Sequence, residues 1–137
     1  MGRIILLLFG LTLLGYCTTT KVKTEFNFKF QWPDEFKRTG LITSSTYQVY
    51  FYVRGETYAQ ALAIAKREAV PLALGYILME PFITIRITAQ GKAKIRNIIQ
   101  SKGRIVFFKK IPNNSDHYEV VFHVTDFDLF NKLKSIK

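Results

Sequence analysis

The 137-residue chain carries 20 Lys+Arg against 10 Asp+Glu, and 48% of its residues are hydrophobic and 15% aromatic. That length suits one domain able to bury roughly two-thirds of its unfolded surface. Twelve Phe and seven Tyr exclude a disordered chain despite the charge, and a single Cys excludes an internal disulfide or a thiolate metal cluster. No apolar run reaches the roughly 18 residues of a membrane span.

Met1-Gly2-Arg3 is a short basic start, and Ile4 to Leu14 is an apolar stretch. As a helix that stretch is roughly 16 Å long, about half the hydrocarbon thickness. Gly15-Tyr16-Cys17 follows. This is the layout of a signal peptide over residues 1–16 rather than of an anchor helix. Its removal would take Arg3 alone among the charges. The segment resembles a bacterial lipoprotein signal, whose motif ends in cysteine. Leu14 and Gly15 suit that pattern, whereas Tyr16 stands where a small residue is usual. The resemblance implies palmitate-type acylation of Cys17, and the acyl chains together would anchor the chain stably. Thr18 is not an acidic retention signal, so the outer membrane is the expected home. Residues 17–23 make a tether of roughly 20 Å when extended. A single domain is expected over residues 24–137.

Thr24 to Trp32 alternates, with Phe26, Phe28, Phe30 and Trp32 on one face, as in a half-buried strand. Pro33 to Ser45 reads as a connection or edge segment. Tyr47 to Val53 is a second strand, with Tyr47, Val49, Phe51 and Val53 on one face. Thr57 and Gln60 have the spacing of a capping box. A helix to about Leu78 then presents Tyr58, Ala61, Leu62, Ala65, Ala69, Leu72, Ala73 and Tyr76 within roughly 120°. Its alanines would let it lie close to the large side chains of a sheet. From Ala69 to Met79 it carries no charge, and Pro71 should bend it. Val70, Leu74, Ile77 and Leu78 lie on the back. Either a later segment of the chain or a second subunit must cover them, and a free apolar patch would mark self-association or an envelope protein partner.

Phe82 to Thr88 suits either a strand or a helical link. Lys92 to Gln100 reads as a short basic helix with Ile95, Ile98 and Ile99 inward. Arg104 to Ile111 and His117 to Thr125 form a hairpin about the turn cluster Pro112 to Asp116. The tail holds Phe127, Leu129, Phe130 and Leu133, consistent with a short terminal helix. The order β-β-α-link-α-β-β predicts an α+β two-layer fold: an antiparallel sheet with a long alanine-rich helix and a second short helix on one face.

Residues 53–124 resemble the N-terminal domain of flagellar assembly protein T and the related Lpp-twenty lipoproteins. The features are the strand ending Val53-Arg54-Gly55 and the helix opening Thr57-Tyr58-Ala59-Gln60-Ala61. Ile99-Gln100-Ser101-Lys102-Gly103-Arg104-Ile105-Val106 and the closing strand Tyr118-Glu119-Val120-Val121-Phe122-His123-Val124 complete them. The resemblance implies a non-enzymatic envelope lipoprotein, often flagellum-associated or surface-exposed. It covers about half the chain. Pro71, the Phe26–Trp32 strand and the Ile-rich link depart from the pattern.

The candidate chemistry is sparse. His117 and His123 share a strand face but stand roughly 20 Å apart, too far for one metal. Glu119 beside His117 offers only a weak surface site. Asp34-Glu35 and Asp126-x-Asp128 are not spaced like paired catalytic carboxylates in a cleft. No phosphate loop, dinucleotide turn or nucleophile elbow is present. No catalytic role, cofactor or metal is therefore expected. The strong signal is basic. Lys92, Lys94, Arg96, Lys102, Arg104, Lys109 and Lys110 occur with no acid among them, and Phe107 and Phe108 are interleaved. An exported chain meets no nucleic acid, so anionic lipid head groups or wall polymers are the expected polyanions. The alternative is a solvated cationic face without a ligand.

Changing Cys17 to Ser should abolish palmitate labelling and either release the chain from the membrane fraction or leave it unprocessed. An intact Met1 and an unmodified Cys17 in the native protein, read by mass spectrometry, would refute the leader assignment.

Overall fold

A computed structural model describes Asp34, residues 37–114 and residues 116–137. The leader, Cys17 and the Phe26–Trp32 alternation lie outside these residues. The elements are β1 (Gly40–Thr43), β2 (Thr46–Arg54), α1 (Tyr58–Leu78), α2 (Ala89–Lys102), β3 (Gly103–Lys110), β4 (His117–Thr125) and α3 (Leu129–Lys134). The strands form one antiparallel sheet in the order β1-β2-β4-β3. The segment before β2 is thus an edge strand, closed onto β2 by the Ser44-Ser45 turn. After β2 the chain passes through both long helices and returns at the far edge as β3. The β3–β4 hairpin then places β4 beside β2. The fold is α+β, with an antiparallel sheet and helices packed on it.

The period-two pattern carries directly into the core. Tyr47, Val49, Phe51 and Val53 of β2 oppose Val124, Phe122, Val120 and Tyr118 of β4, and all eight are buried. Over them runs a row of small residues from α1. Ala61, Ala65, Ala69 and Ala73 are each at most 2% exposed, and Ile77 continues the row. Alanine at every fourth position lets the helix axis approach a sheet that already supplies large side chains.

The buried face of α1 differs from the expected stripe. Tyr58 and Tyr76 are exposed, whereas Leu74 and Ile77 are core. A four-residue step advances 400°, so the buried row drifts by about 40° at each step. The drift brings Leu74 and Ile77 inward, and α1 packs on both the sheet and α2. Ile95 and Ile99 of α2 and Ile83 of the link join the same core as Leu74 and Ile77, and Val70 and Leu78 pack half-buried against it. The back of the helix is therefore covered within the chain. The expected interface at Val70, Leu74, Ile77 and Leu78 is instead ordinary core and its margin. Pro71 and Gly75 face solvent, and the helix continues through Pro71.

The helix starts follow local chemistry. The Gln60 N–H donates to the Thr57 hydroxyl at 3.2 Å, and the Gln60 side chain accepts from the Glu56 N–H at 2.9 Å. The return bond of the capping box thus falls one residue earlier than the motif implies. Thr88 caps α2 through the Gly91 N–H, and its own hydroxyl donates to the Lys137 backbone oxygen. The helix begins at Ala89, three residues before the expected start. The link from Met79 to Thr88 forms no strand. Ile83 is buried, but Ile85 is fully exposed, so the Ile83-Ile85-Ile87 alternation pairs with nothing.

β3 contains a bulge. Ile105 opposes Phe122 and Phe107 opposes Val121, which leaves Val106 as the extra residue. The bulge reverses the phase of the strand. Phe108 turns inward and stacks on Tyr118 with ring centroids 5.1 Å apart, while Phe107 turns to the opposite face. At the start of β3, a Cβ on Gly103 would fall 2.2 Å from the Phe122 ring and 2.4 Å from the Ile99 carbonyl oxygen. Only glycine fits this junction between α2 and the sheet.

Ala65→Trp or Ala69→Trp should cost roughly 1–3 kcal/mol or more by overpacking. Leu74→Glu should unfold the monomer rather than dissociate an oligomer, because it places a carboxylate in the core. Gly75→Ala should stabilise by up to about 1 kcal/mol, because the position is helical and open. Thermal melts followed by circular dichroism, with light scattering for size, check all three.

Candidate functional site

The helices occupy one face of the sheet, so the polar side chains of the strands gather on the other. Thr46, Gln48, Tyr50, Tyr52 and Arg54 of β2 oppose Thr125, His123, Val121, Glu119 and His117 of β4. Arg104, Phe107 and Lys109 of β3 oppose His123, Val121 and Glu119. Cross-strand rows result, with β carbons roughly 5 Å apart within a row.

One row is an oriented hydrogen-bond chain. The Gln48 amide nitrogen donates to the Arg38 carbonyl at 2.7 Å. Its amide oxygen therefore faces His123, whose Nε2 lies 2.9 Å away and must carry the proton. Burial lowers the pKa of His123, which keeps the ring neutral near pH 7. His123 is thus half-buried and engaged, not the solvated position its strand face implies. His117 is separate, at the far end of β4, held 2.7 Å from Asp116. Arg54 holds the other oxygen of Asp116 at 2.7 Å, and together the two partners lower its pKa.

A second cluster joins Tyr50, Tyr52, Glu119, Lys37 and Asp34. The Tyr50 hydroxyl hydrogen-bonds Glu119 and lies 2.8 Å from the Tyr52 hydroxyl. Lys37 bridges Glu119 at 3.2 Å and Asp34 at 2.6 Å. Burial, then the Glu119 bond, raises the Tyr50 pKa, so the phenol stays protonated at neutral pH. A protonated phenol and a paired carboxylate form a clamp on the segment before β1. They supply neither a nucleophile nor a free base. Among the described residues no three His, Cys, Asp or Glu side chains gather as a metal site. No described helix is long and apolar enough to cross a membrane.

The basic residues of 92–110 do not form one cluster. Lys92 and Arg96 lie one turn apart on one flank of α2. Lys94 lies on the other flank and borders a groove of about 610 Å³ with Lys132 and Lys137 of the C-terminal segment. Lys102 and Arg104 meet at the corner where α2 enters β3, around a hollow of about 350 Å³ with His123 and Thr125. Lys109 and Lys110 stand at the other end of β3, roughly 14 and roughly 17 Å from Arg104. Chain proximity suggested one patch; a helix and an extended strand spread it over four regions.

Asp126, no part of a catalytic pair, is the acid beside this basic surface. One oxygen lies 2.8 Å from Lys132 and the other 3.8 Å from Lys102, and Lys132 chiefly lowers its pKa. Asp128 takes the N-cap position of α3, but its side chain accepts from the Asn131 side chain rather than from the backbone. Asp126 and Lys132 stand six residues apart across the start of α3, a spacing that marks no pairing in the sequence. Nothing local pointed to Lys102.

Acid should weaken the fold through His123. Its folded pKa lies below the ordinary imidazole value of about 6.5, so the unfolded chain binds the proton more readily. The His123 contribution is therefore intact above pH 6.5 and lost as pH falls from there toward the folded pKa. NMR should find its ring titrating below 6.5, and His123→Gln should flatten that part of the stability profile.

No family model matches the chain, and no curated protein or solved structure matches it.

Proposed function

We propose that this chain is a non-enzymatic interaction module of a bacterial envelope, held at a membrane by acyl chains on Cys17, with a cationic surface toward anionic partners. The single observation that supports this most directly is the state of the cations on α2 and β3. Lys92, Lys94, Arg96, Arg104 and Lys110 are exposed, and none has an ion pair with a described carboxylate. Most of the described acids already have partners: Asp34, Glu68, Asp116, Glu119 and Asp126 sit in ion pairs, and Glu80 accepts from the Tyr47 hydroxyl. Among the described residues the surplus charge thus has no carboxylate partner and is available to head-group phosphates or wall polymers. A tether of roughly 20 Å would keep it near such a surface.

The family resemblance adds a flagellum-associated assembly as one setting, with a periplasmic or surface-exposed protein as its partner. A second reading is a surface-exposed lipoprotein that contacts host molecules or envelope polyanions. The same unpaired cations favour it, and protease shaving of intact cells separates the two.

The Cys17→Ser chain, lacking its lipid, should bind vesicles containing phosphatidylglycerol and not vesicles of phosphatidylcholine, with affinity falling as salt rises. Each basic residue near an anionic surface contributes about 1 kcal/mol, so Lys92→Gln with Arg96→Gln should weaken binding about 30-fold. Equal binding to both vesicle types would overturn the cationic-surface reading.

A further inference from the structure

The corner at the α2–β3 junction differs from the rest of the basic surface. Gly103 permits an abrupt passage from helix to strand, so Lys102 ends α2 and Arg104 begins β3 only two residues later. Arg104 opposes His123, and Lys102 at the end of α2 borders the same hollow as Thr125. The hollow they border holds about 350 Å³ and is also walled by Ser101 and Val106. It is more than large enough for a tetrahedral anion.

The donors there are available. The Arg104 side chain has no hydrogen bond or ion pair with a described residue. Lys102 touches Asp126 only at 3.8 Å, and Lys132 holds that carboxylate more closely at 2.8 Å. Lys102 can therefore swing to a ligand without leaving Asp126 unpaired. The Thr125 hydroxyl lies 3.4 Å from that of Thr46, and either can donate. When Thr46 donates, the Thr125 proton points elsewhere. Ser101 gives its proton to the Ile98 carbonyl and serves as wall. His123 has its Nε2 proton committed to Gln48 and stays neutral. The site thus offers one planar guanidinium fork, one ammonium and one hydroxyl around a single space.

We propose that this corner binds the phosphate group of a phosphorylated ligand. Arg104 takes two phosphate oxygens through its fork, Lys102 takes a third, and the Thr125 hydroxyl completes the cradle. Two cations match the charge of a phosphate monoester, and a planar fork selects a tetrahedral oxyanion over diffuse charge. The proposal gives the cationic-surface reading above a defined ligand site. It differs from the other three basic regions: Lys92 and Arg96 lie on an open helix flank, no hydroxyl lines the hollow beside Lys110, and in the Lys94 groove the Ser135 hydroxyl is given to the Lys132 carbonyl.

The test uses the full chain in dodecyl maltoside micelles, observed by two-dimensional NMR. Inorganic phosphate should bind saturably, shifting the Arg104 side-chain Nε–H, the Gly103 amide and the His123 ring together. Arg104→Gln and Lys102→Gln should each weaken it by about tenfold or more, the loss of a charge-assisted hydrogen bond. Lys92→Gln, on the far flank of α2, should leave it unchanged. A second arm dopes the micelles with phosphatidic acid or an equal fraction of phosphatidylcholine. Shifts at the corner with phosphatidic acid alone assign the phosphate to a lipid head group; shifts with inorganic phosphate assign it to a soluble ligand. Absence of corner shifts in both arms overturns the site. So does equal weakening by Lys92→Gln and Arg104→Gln, which would leave only diffuse attraction. That last outcome keeps the cationic-surface reading intact, so the two failures are distinguishable.

Discussion

The close contact between the alanine row of α1 and the apolar face of β2 and β4 is the constraint on which the rest depends. Large side chains come almost wholly from the sheet at this contact, and the helix contributes methyl groups at Ala61, Ala65, Ala69 and Ala73. Interiors are close-packed, so the helix can approach the strands only because those positions are small. The closeness of α1 also determines where α2 can lie. It must take the remaining apolar surface of α1, and Ile95, Ile99 and Ile83 meet Leu74 and Ile77 there.

With α1 and α2 on one face, the polar ladder of the sheet is confined to the other. That face is not a uniform wet surface. Gln48 and Val121 are buried on it, and His123 is half-buried. Burial forces defined hydrogen bonds, as in the Arg38–Gln48–His123 chain, because an unpaired polar group out of water is costly. The same demand explains the Tyr50–Glu119–Lys37 clamp. Polar order on this face has a structural cause, and the surplus cations lie at its border.

Charge partition is the feature that connects fold to function. The acids are few and mostly engaged, while the basic residues of α2 and β3 project outward from a helix flank and an edge strand. Asp126 is the exception, since it lies between Lys102 and Lys132 and divides the corner at β3 from the groove beside α3. Sequence order placed seven cations in one short stretch. The Gly103 junction then brings two of them, Lys102 and Arg104, to one corner, and the extended strand carries Lys109 and Lys110 away.

Much of the architecture was legible because it is local. Side-chain direction alternates in a strand and advances about 100° per residue in a helix, so the inward faces of β2 and β4 and the Ile95–Ile99 seam follow from the residues alone. Thr57 marks the start of α1 through its own hydroxyl, whereas the Thr88 cap went unread and the expected start of α2 fell three residues late. The expectation of an acylated Cys17 behind a leader also belongs wholly to the sequence. Other features needed distant partners. The Val106 bulge exists only because β3 pairs with β4, and it decides that Phe108 rather than Phe107 enters the core. The drift of the α1 face depends on which elements cover it, so a stripe drawn at one angle placed Tyr76 inside and Leu74 outside. The meeting of Lys102 and Arg104 with Thr125 and His123 depends on strand register. By itself the sequence determined most of the elements, the inward faces of β2 and β4 and the charge surplus, since these follow from short-range geometry and composition. Only the tertiary structure decided strand order, the phase of β3 and the corner where cations and hydroxyls converge, since these arise from contacts between residues far apart in the chain.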